Sequence, residues 1–71
     1  MATNIQNFLI QTIISEVTTY IVEDKKVEID EALKIFYSTT VSGKLEDIET
    51  ELYLEGAGYI YELVKEELKD V

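Results

Sequence analysis

The first 42 residues of the chain contain neither proline nor glycine, the two residues that most often interrupt a helix or a strand. The spacing of the apolar residues therefore has to decide the secondary structure of this segment. From Ile5 onward, apolar side chains recur with the 3.6-residue period of a helix and fall on one arc about 140° wide. They are Leu9, Ile10, Ile13, Ile14, Val17, Tyr20 and Ile21. Although many of them are β-branched, the length of the pattern predicts a helix from about Asn4 to Val22.

The other side of this helix is mixed. Its polar residues are expected to face solvent; they are Asn7, Gln11, Ser15, Thr18 and Thr19. Phe8 and Val22 are apolar but also lie outside the arc, so either the first helix meets more than one neighbour or these residues are simply exposed. A 71-residue domain buries only about 60% of the surface of its unfolded chain. We therefore expect a dimer or higher oligomer, with Phe8 and Val22 among its contacts.

Two further helices are predicted downstream. Residues 23–26, EDKK, have the length and polarity of a connection. A second helix follows, with the helical spacing of Ile29, Ala32, Leu33, Phe36 and Tyr37. Ser42 and Gly43 predict a break, after which the chain forms a short helical turn or an irregular crossing segment. The last helix is expected to begin near Gly58, with one face made of Ile60, Leu63, Val64 and Leu68. The predicted fold is all-α, a single domain over residues 1–71 with three or four helices.

The charge of the chain limits its partners. The net charge is −9, and all six basic residues are lysine. Residues 44–71 carry nine of the 15 acids and three lysines. Without arginine, the residue that binds phosphate and guanine through two parallel hydrogen bonds, an acidic chain is not expected to bind nucleic acid. Anionic membranes are disfavoured for the same reason.

The N-terminal segment also bears on location. It lacks the basic start of a signal peptide, and polar residues interrupt its apolar ones. No apolar run is long enough to span a bilayer. We therefore expect a cytoplasmic location.

Most enzyme chemistry is excluded by the residue types present. The chain has no histidine and no cysteine, which removes the commonest general base, the strongest nucleophile and the usual transition-metal ligands. Carboxylates remain, but EDIETE, residues 46–51, lacks the alternating order of a calcium-binding loop. We expect no enzyme activity, no catalytic residue, no cofactor and no metal site, and we interpret these carboxylates as a solvated acidic face.

Tyrosines surround the glycines of the C-terminal half. The segment GAG, residues 56–58, predicts a glycine turn and the cap of the last helix. Tyr53, Tyr59 and Tyr61 flank it, and Tyr59 and Tyr61 point apart because residues i and i+2 of a helix do not share a face. At least one of the rings is therefore expected to be exposed or at an interface. We predict a protein-binding surface for a basic partner, formed by these three tyrosines together with Glu46, Glu49 and Glu51.

Several short motifs between residues 5 and 70 also resemble a family of short bacterial proteins catalogued as a domain of unknown function. They are Glu31-Ala32-Leu33, Tyr37-Ser38, Leu45-Glu46-Asp47, Leu52-Tyr53, Tyr59-Ile60-Tyr61-Glu62-Leu63 and Glu66-Glu67-Leu68. Many members of that family are encoded beside a protein with an ADP-ribosyltransferase-like fold, so the resemblance implies an antitoxin-like or accessory role. The functional prediction is a small acidic protein-interaction module, and the alternative is a self-associating structural homodimer without another partner.

Overall fold

The structure, a computed structural model, describes residues 2–69. Over this range the chain forms four α-helices and no strand, which confirms the predicted all-α class. The helices are α1 (Asn4–Lys25), α2 (Ile29–Tyr37), α3 (Thr40–Glu46) and α4 (Ala57–Lys69). Two single 3-10 turns, Ile48–Thr50 and Leu52–Leu54, connect α3 to α4. Helix α1 is the longest element, and α2, α4 and the second 3-10 turn pack against it.

Side-chain and backbone hydrogen bonds define both ends of α1. The Thr3 hydroxyl accepts from the Gln6 backbone N–H at 3.1 Å, and the Gln6 side-chain oxygen accepts from the Thr3 N–H at 2.8 Å. This reciprocal pair satisfies two donors that a helix start otherwise leaves free. The helix ends where Lys26 takes a left-handed conformation, φ 58°, and its N–H bonds the Val22 carbonyl at 2.9 Å. The prediction of a connection over residues 23–26 was therefore wrong for Glu23–Lys25, since charged residues continue a helix well.

The buried face of α1 matches the predicted arc except at three positions. Ile10, Ile13, Ile14, Val17 and Ile21 are buried, as predicted. Thr18, expected to face solvent, is 1% exposed, and its hydroxyl donates to the Ile14 carbonyl at 2.6 Å. A threonine that bonds the carbonyl one turn earlier leaves no polar group unsatisfied, so it can enter the core. Leu9 is half-buried and Tyr20 is partly exposed.

The break after α2 lies at Ser38 and Thr39, not at Ser42 and Gly43 as predicted. The Ser38 hydroxyl donates to the Ile35 carbonyl and the Thr39 hydroxyl to the Phe36 carbonyl, both at 2.6 Å. Both side chains thereby satisfy carbonyls at the end of α2 that have no partner within the helix. Ser42 and Gly43 lie inside α3, where the Ser42 hydroxyl is buried and donates to the Thr39 carbonyl at 2.8 Å.

Helix α4 begins at Ala57, one residue before the predicted start. Gly56 precedes it, and the Gly56 carbonyl accepts from the Ile60 N–H at 3.2 Å. Gly56 thus occupies the cap position expected of this glycine segment, and no glycine among the described residues needs a positive φ. The left-handed residue of this region is Glu51, φ 57°, which lies between the two 3-10 turns.

The core is closed by one large side chain or more from each α-helix. Val17 and Ile21 of α1, Phe36 of α2, Leu45 of α3, and Ile60 and Val64 of α4 are each 0% exposed. The carboxylate of Glu67 on α4 also accepts from both the backbone N–H and the hydroxyl of Thr40, each at 2.7 Å. Helix α4 thus holds the first turn of α3 by hydrogen bonds in addition to apolar contact. Within residues 2–69, no helix combines the length and apolar composition needed to cross a membrane.

Candidate protein-binding surface

The most acidic connection of the molecule lies between α3 and α4, and we call residues 46–55 the acidic loop. It carries five carboxylates and no lysine. All five side chains are exposed; they belong to Glu46, Asp47, Glu49, Glu51 and Glu55. The three glutamates predicted to bind a partner, at positions 46, 49 and 51, thus lie together on one short segment of the surface.

Hydrogen bonds between side chains and backbone order the acidic loop. The Asp47 carboxylate accepts from the Glu49 N–H at 3.0 Å and caps the first 3-10 turn. The Thr50 hydroxyl donates to the carbonyls of Lys44 and Asp47 at 2.6 and 2.8 Å. It also accepts from the Leu52 N–H at 3.3 Å. A loop whose backbone groups are paired in this way needs little further ordering when a partner binds.

One apolar side chain of the acidic loop faces solvent. Ile48, Leu52 and Tyr53 pack against the core, whereas Leu54 is 62% exposed. The prediction from sequence did not include Leu54, although three apolar residues in a row, Leu52-Tyr53-Leu54, already indicate that one must point away from the core. Leu54 is therefore an exposed apolar group on a segment that also carries five exposed carboxylates.

Tyr53 is half-buried, and its ring packs on the core. Its hydroxyl accepts from the side-chain amide of Gln6 at 2.9 Å. This bond connects the acidic loop to the first turn of α1. Only part of the Tyr53 side chain is therefore exposed.

Tyr59 and Tyr61 point apart, as the spacing predicts: Tyr59 is 52% exposed and Tyr61 only 8%. The Tyr61 hydroxyl donates to the Asp24 carboxylate, and its ring centroid lies 5.3 Å from that of Tyr20. The Lys65 ammonium lies 5.3 Å from the centroid of the same ring. Tyr61 joins α4 to the end of α1 and is not available as an exposed contact, because its ring and hydroxyl already have partners.

The surroundings of Tyr61 also change its ionisation. Burial raises the pKa of the phenol above its usual range, and the hydrogen bond to Asp24 and the charges of Asp24 and Glu62 raise it further. Each of these effects disfavours the phenolate. Tyr61 is therefore held neutral, as the donor of a structural hydrogen bond.

A groove of about 370 Å³ opens beside Tyr61, between the ends of α1 and α4. Three of the six lysines line it, together with Asp24 and Leu68; they are Lys25, Lys65 and Lys69. Lys65 pairs with Glu62 at 3.0 Å and Lys69 with Glu66 at 3.5 Å. Lys25 and Lys69 also lie in the last turns of α1 and α4, where the helix dipole favours positive charge. The ion pairs and the helix dipoles therefore account for the lysines that line the groove, without a bound ligand.

The two residues predicted to mediate self-association have different environments. Phe8 is 68% exposed, whereas Val22 is half-buried and packs against the core. Val22 therefore offers only part of its side chain to a second copy, because the rest already contacts the core. Ile5, which the prediction did not consider, is 73% exposed.

Among residues 2–69, no three acidic, histidine or cysteine side chains are grouped so that they would hold a metal ion. Comparisons with protein-family models, with curated proteins and with solved structures give no match to this chain. The resemblance to the short bacterial family therefore stays a prediction, and the surface itself has to support any functional proposal.

Proposed function

We propose that this chain is a small protein-interaction module that binds a basic protein partner through the acidic loop. As the resemblance to the short bacterial family implies, it acts as an antitoxin-like or accessory partner in the bacterial cytoplasm. The observation that carries the proposal is that five carboxylates and Leu54 are all exposed on one loop whose backbone is already ordered. No catalytic group, cofactor or metal takes part.

The charge of the acidic loop supports a role in encounter. Opposite charges at the rim of an interface mainly raise the association rate and contribute less to the lifetime of the complex. Because exposed charges are screened beyond about 8 Å at physiological ionic strength, the association rate should fall as salt is added. The absence of arginine and the net charge of −9 disfavour nucleic acid as the partner.

The apolar groups supply the area that a complex needs. Leu54 and Tyr59 lie five residues apart in the chain, and both are more than half exposed. A partner that covers this tyrosine ring and this aliphatic side chain would bury them at the centre of the contact. Side chains of this kind anchor typical interfaces. Truncating them should therefore shorten the lifetime of the complex, while changing the charges should slow its formation.

The test begins with identification of the partner by co-purification with the tagged chain from its native host. The purified pair is then measured by stopped flow at several salt concentrations. The triple variant Glu46→Gln, Glu49→Gln and Glu51→Gln should associate about three- to tenfold more slowly at low salt, with little change in dissociation rate. The double variant Leu54→Ser and Tyr59→Ser should dissociate about tenfold faster.

The matched control removes three exposed carboxylates elsewhere, by Glu16→Gln, Glu23→Gln and Glu28→Gln. Both triple variants change the net charge by the same amount. If the two variants slow association equally, only net charge matters and the acidic loop is not the binding site. If neither changes the association rate, the carboxylates act as a solubilising face and the proposal is wrong.

A further inference from the structure

Charge is distributed very unevenly between the first helix and the rest of the chain. Residues 1–15 contain no charged side chain, so all 15 acids and all six lysines lie at Glu16 or beyond. In the structure, the uncharged residues form the N-terminal half of α1. The N-terminal half of α1 itself therefore carries no charged side chain.

This uncharged half of α1 carries the two most exposed large apolar side chains of the described residues. Ile5 is 73% and Phe8 68% exposed, and a spacing of three residues places them on the same face of α1. Thr12 continues this face, and its hydroxyl already donates to the Phe8 carbonyl at 2.9 Å. We call Ile5, Phe8 and Thr12 the uncharged face of α1.

We propose that two copies of this chain associate through the uncharged face of α1, with the two helices antiparallel. Each copy carries a net charge of −9, so two copies repel each other wherever charged surfaces meet. Contact at the uncharged face buries apolar side chains and places no charged side chain of residues 1–15 between the two copies. A basic partner would find no electrostatic attraction at this face, whereas the carboxylates of the acidic loop would attract it.

The first charge along α1 determines the direction of pairing. If the antiparallel pair is centred between Phe8 and Leu9, Glu16 of one copy lies about 4.5 Å along the axis beyond the helix start, Asn4, of the other. The start of a helix carries partial positive charge, which favours a nearby carboxylate. The two Glu16 carboxylates are then about 22 Å apart along the axis. Parallel pairing would instead place them side by side.

The contact is small, because residues 5–12 span only about two helical turns. A pair of this size falls below the ~1,200 Å² typical of stable complexes, so we expect association that depends on concentration. This inference does not rest on the proposed binding of a partner by the acidic loop, since different residues carry the two.

The first experiment is sedimentation equilibrium of the full chain from 10 µM to 1 mM, an experimental range of about a hundredfold chosen to reveal weak association. The wild-type mass should rise toward that of a dimer. Ile5→Ser together with Phe8→Ser should weaken the dimer by about tenfold or more. Circular dichroism checks that both proteins have the same helix content, which is expected because the two side chains are exposed.

Leu54→Ser with Tyr59→Ser is the matched control, since it also removes two exposed apolar side chains. This control should dimerise like the wild type, and its separate effect on partner binding keeps the two proposals distinguishable. A wild-type mass that stays monomeric at 1 mM, a concentration about a hundredfold above the starting one, would overturn the inference. So would a dimer that Ile5→Ser and Phe8→Ser leave intact.

The second experiment tests the direction of the helices. The chain has no cysteine, so Thr19→Cys introduces a single site for a spin label on the exposed side of α1. Antiparallel pairing centred at Phe8 and Leu9 predicts a separation of about 30 Å between the two labels. Parallel pairing predicts about 10 Å, and a measured distance near that value would overturn the antiparallel arrangement.

Discussion

At the scale of single residues, Tyr61 shows how one side chain connects stability to pH. Its hydroxyl donates to Asp24, and burial followed by this bond raises the pKa of the phenol above the ordinary value. An unfolded tyrosine titrates near pH 10, roughly the value of model peptides. The folded state therefore favours the neutral phenol. Its contribution to stability is complete below the unfolded pKa and is lost as pH rises toward the higher folded value.

We predict that Tyr61→Phe lowers the free energy of unfolding by about 1 kcal/mol at neutral pH, because it removes the donor to Asp24. Above pH 10, roughly where an unfolded tyrosine ionises, the difference between wild type and variant should shrink. Urea unfolding at a series of pH values measures both effects. Tyr59→Phe serves as the control, since Tyr59 is exposed and should tolerate the change. A difference that is constant up to the alkaline limit of folding would contradict the role given to the hydroxyl.

The environment of a residue was predictable from sequence only in part. The spacing of Tyr59 and Tyr61 required that they point apart, but which ring is buried depends on where α4 meets Tyr20 and Asp24 of α1. Thr18 entered the core because a hydroxyl that bonds a carbonyl in the preceding turn no longer needs water. Such outcomes depend on contacts between distant residues, or on hydrogen bonds that a polarity pattern does not reveal.

At the scale of elements, α3 depends on its neighbours. It has seven residues, which is too short for a helix to be stable by itself in water. Buried Val41 and Leu45 hold it to the core, and the Glu67 carboxylate accepts from both the N–H and the hydroxyl of Thr40. The backbone N–H of Thr40 and then its hydroxyl lower the pKa of Glu67. The stabilisation is therefore present above the ordinary glutamate pKa and is lost as pH falls through the lower folded value.

We predict that Glu67→Gln increases opening of the first turn of α3 at neutral pH and removes its dependence on acid. Amide hydrogen exchange at Thr40 measures this opening directly, and it should be faster in the variant. Glu66→Gln is the neighbouring control, because Glu66 contacts only exposed Lys69, at 3.5 Å. Equal exchange at Thr40 in wild type and Glu67→Gln would show that apolar contacts alone hold α3 in place.

The existence of α1, α2 and α4 and the starts of α1 and α4 could be predicted from sequence, but the C-terminal end of α1 and the bounds of α3 could not. The 3.6-residue spacing of apolar residues identified α1, α2 and α4, because each of these helices buries one face against the same core. The break at Ser38 and Thr39 depends on two hydroxyls that bond carbonyls of α2, and the start of α3 depends on Glu67 far along the chain. Gly43 was a poor guide to the break because it sits within α3, where a Cβ would meet no neighbouring atom within 4 Å.

At the scale of the whole molecule, one small core has to hold four helices. A domain of 71 residues has a stability of about 4–11 kcal/mol by the usual range per residue. The core contacts that involve Phe36 and Leu45 therefore make up a large part of the total. Because every helix contributes to the same cluster of buried side chains, loss of one helix exposes the others.

We predict that Leu45→Ala costs about 3 kcal/mol and lowers the midpoint of urea unfolding accordingly. Helix content by circular dichroism and tyrosine fluorescence should give the same transition for the wild type, as expected for one cooperative domain. Leu54→Ala is the control, since it makes the same substitution at a side chain that is 62% exposed. It should change the free energy of unfolding by less than about 0.5 kcal/mol. Two separate transitions in the wild type would contradict a single domain.

The side chain of Gln6 connects the start of α1 to the acidic loop through two hydrogen bonds. Its oxygen accepts from Thr3 at the start of α1, while its amide donates to Tyr53 in the acidic loop. A partner that pulls Tyr53 away therefore also loosens the first turn of α1, next to Ile5 and Phe8. Because coupling is reciprocal, any event that stabilises that turn must stabilise the bound position of Tyr53 by the same free energy. If both proposed surfaces are used, Gln6 therefore links the occupancy of one to the affinity of the other, and Gln6→Leu should weaken this coupling.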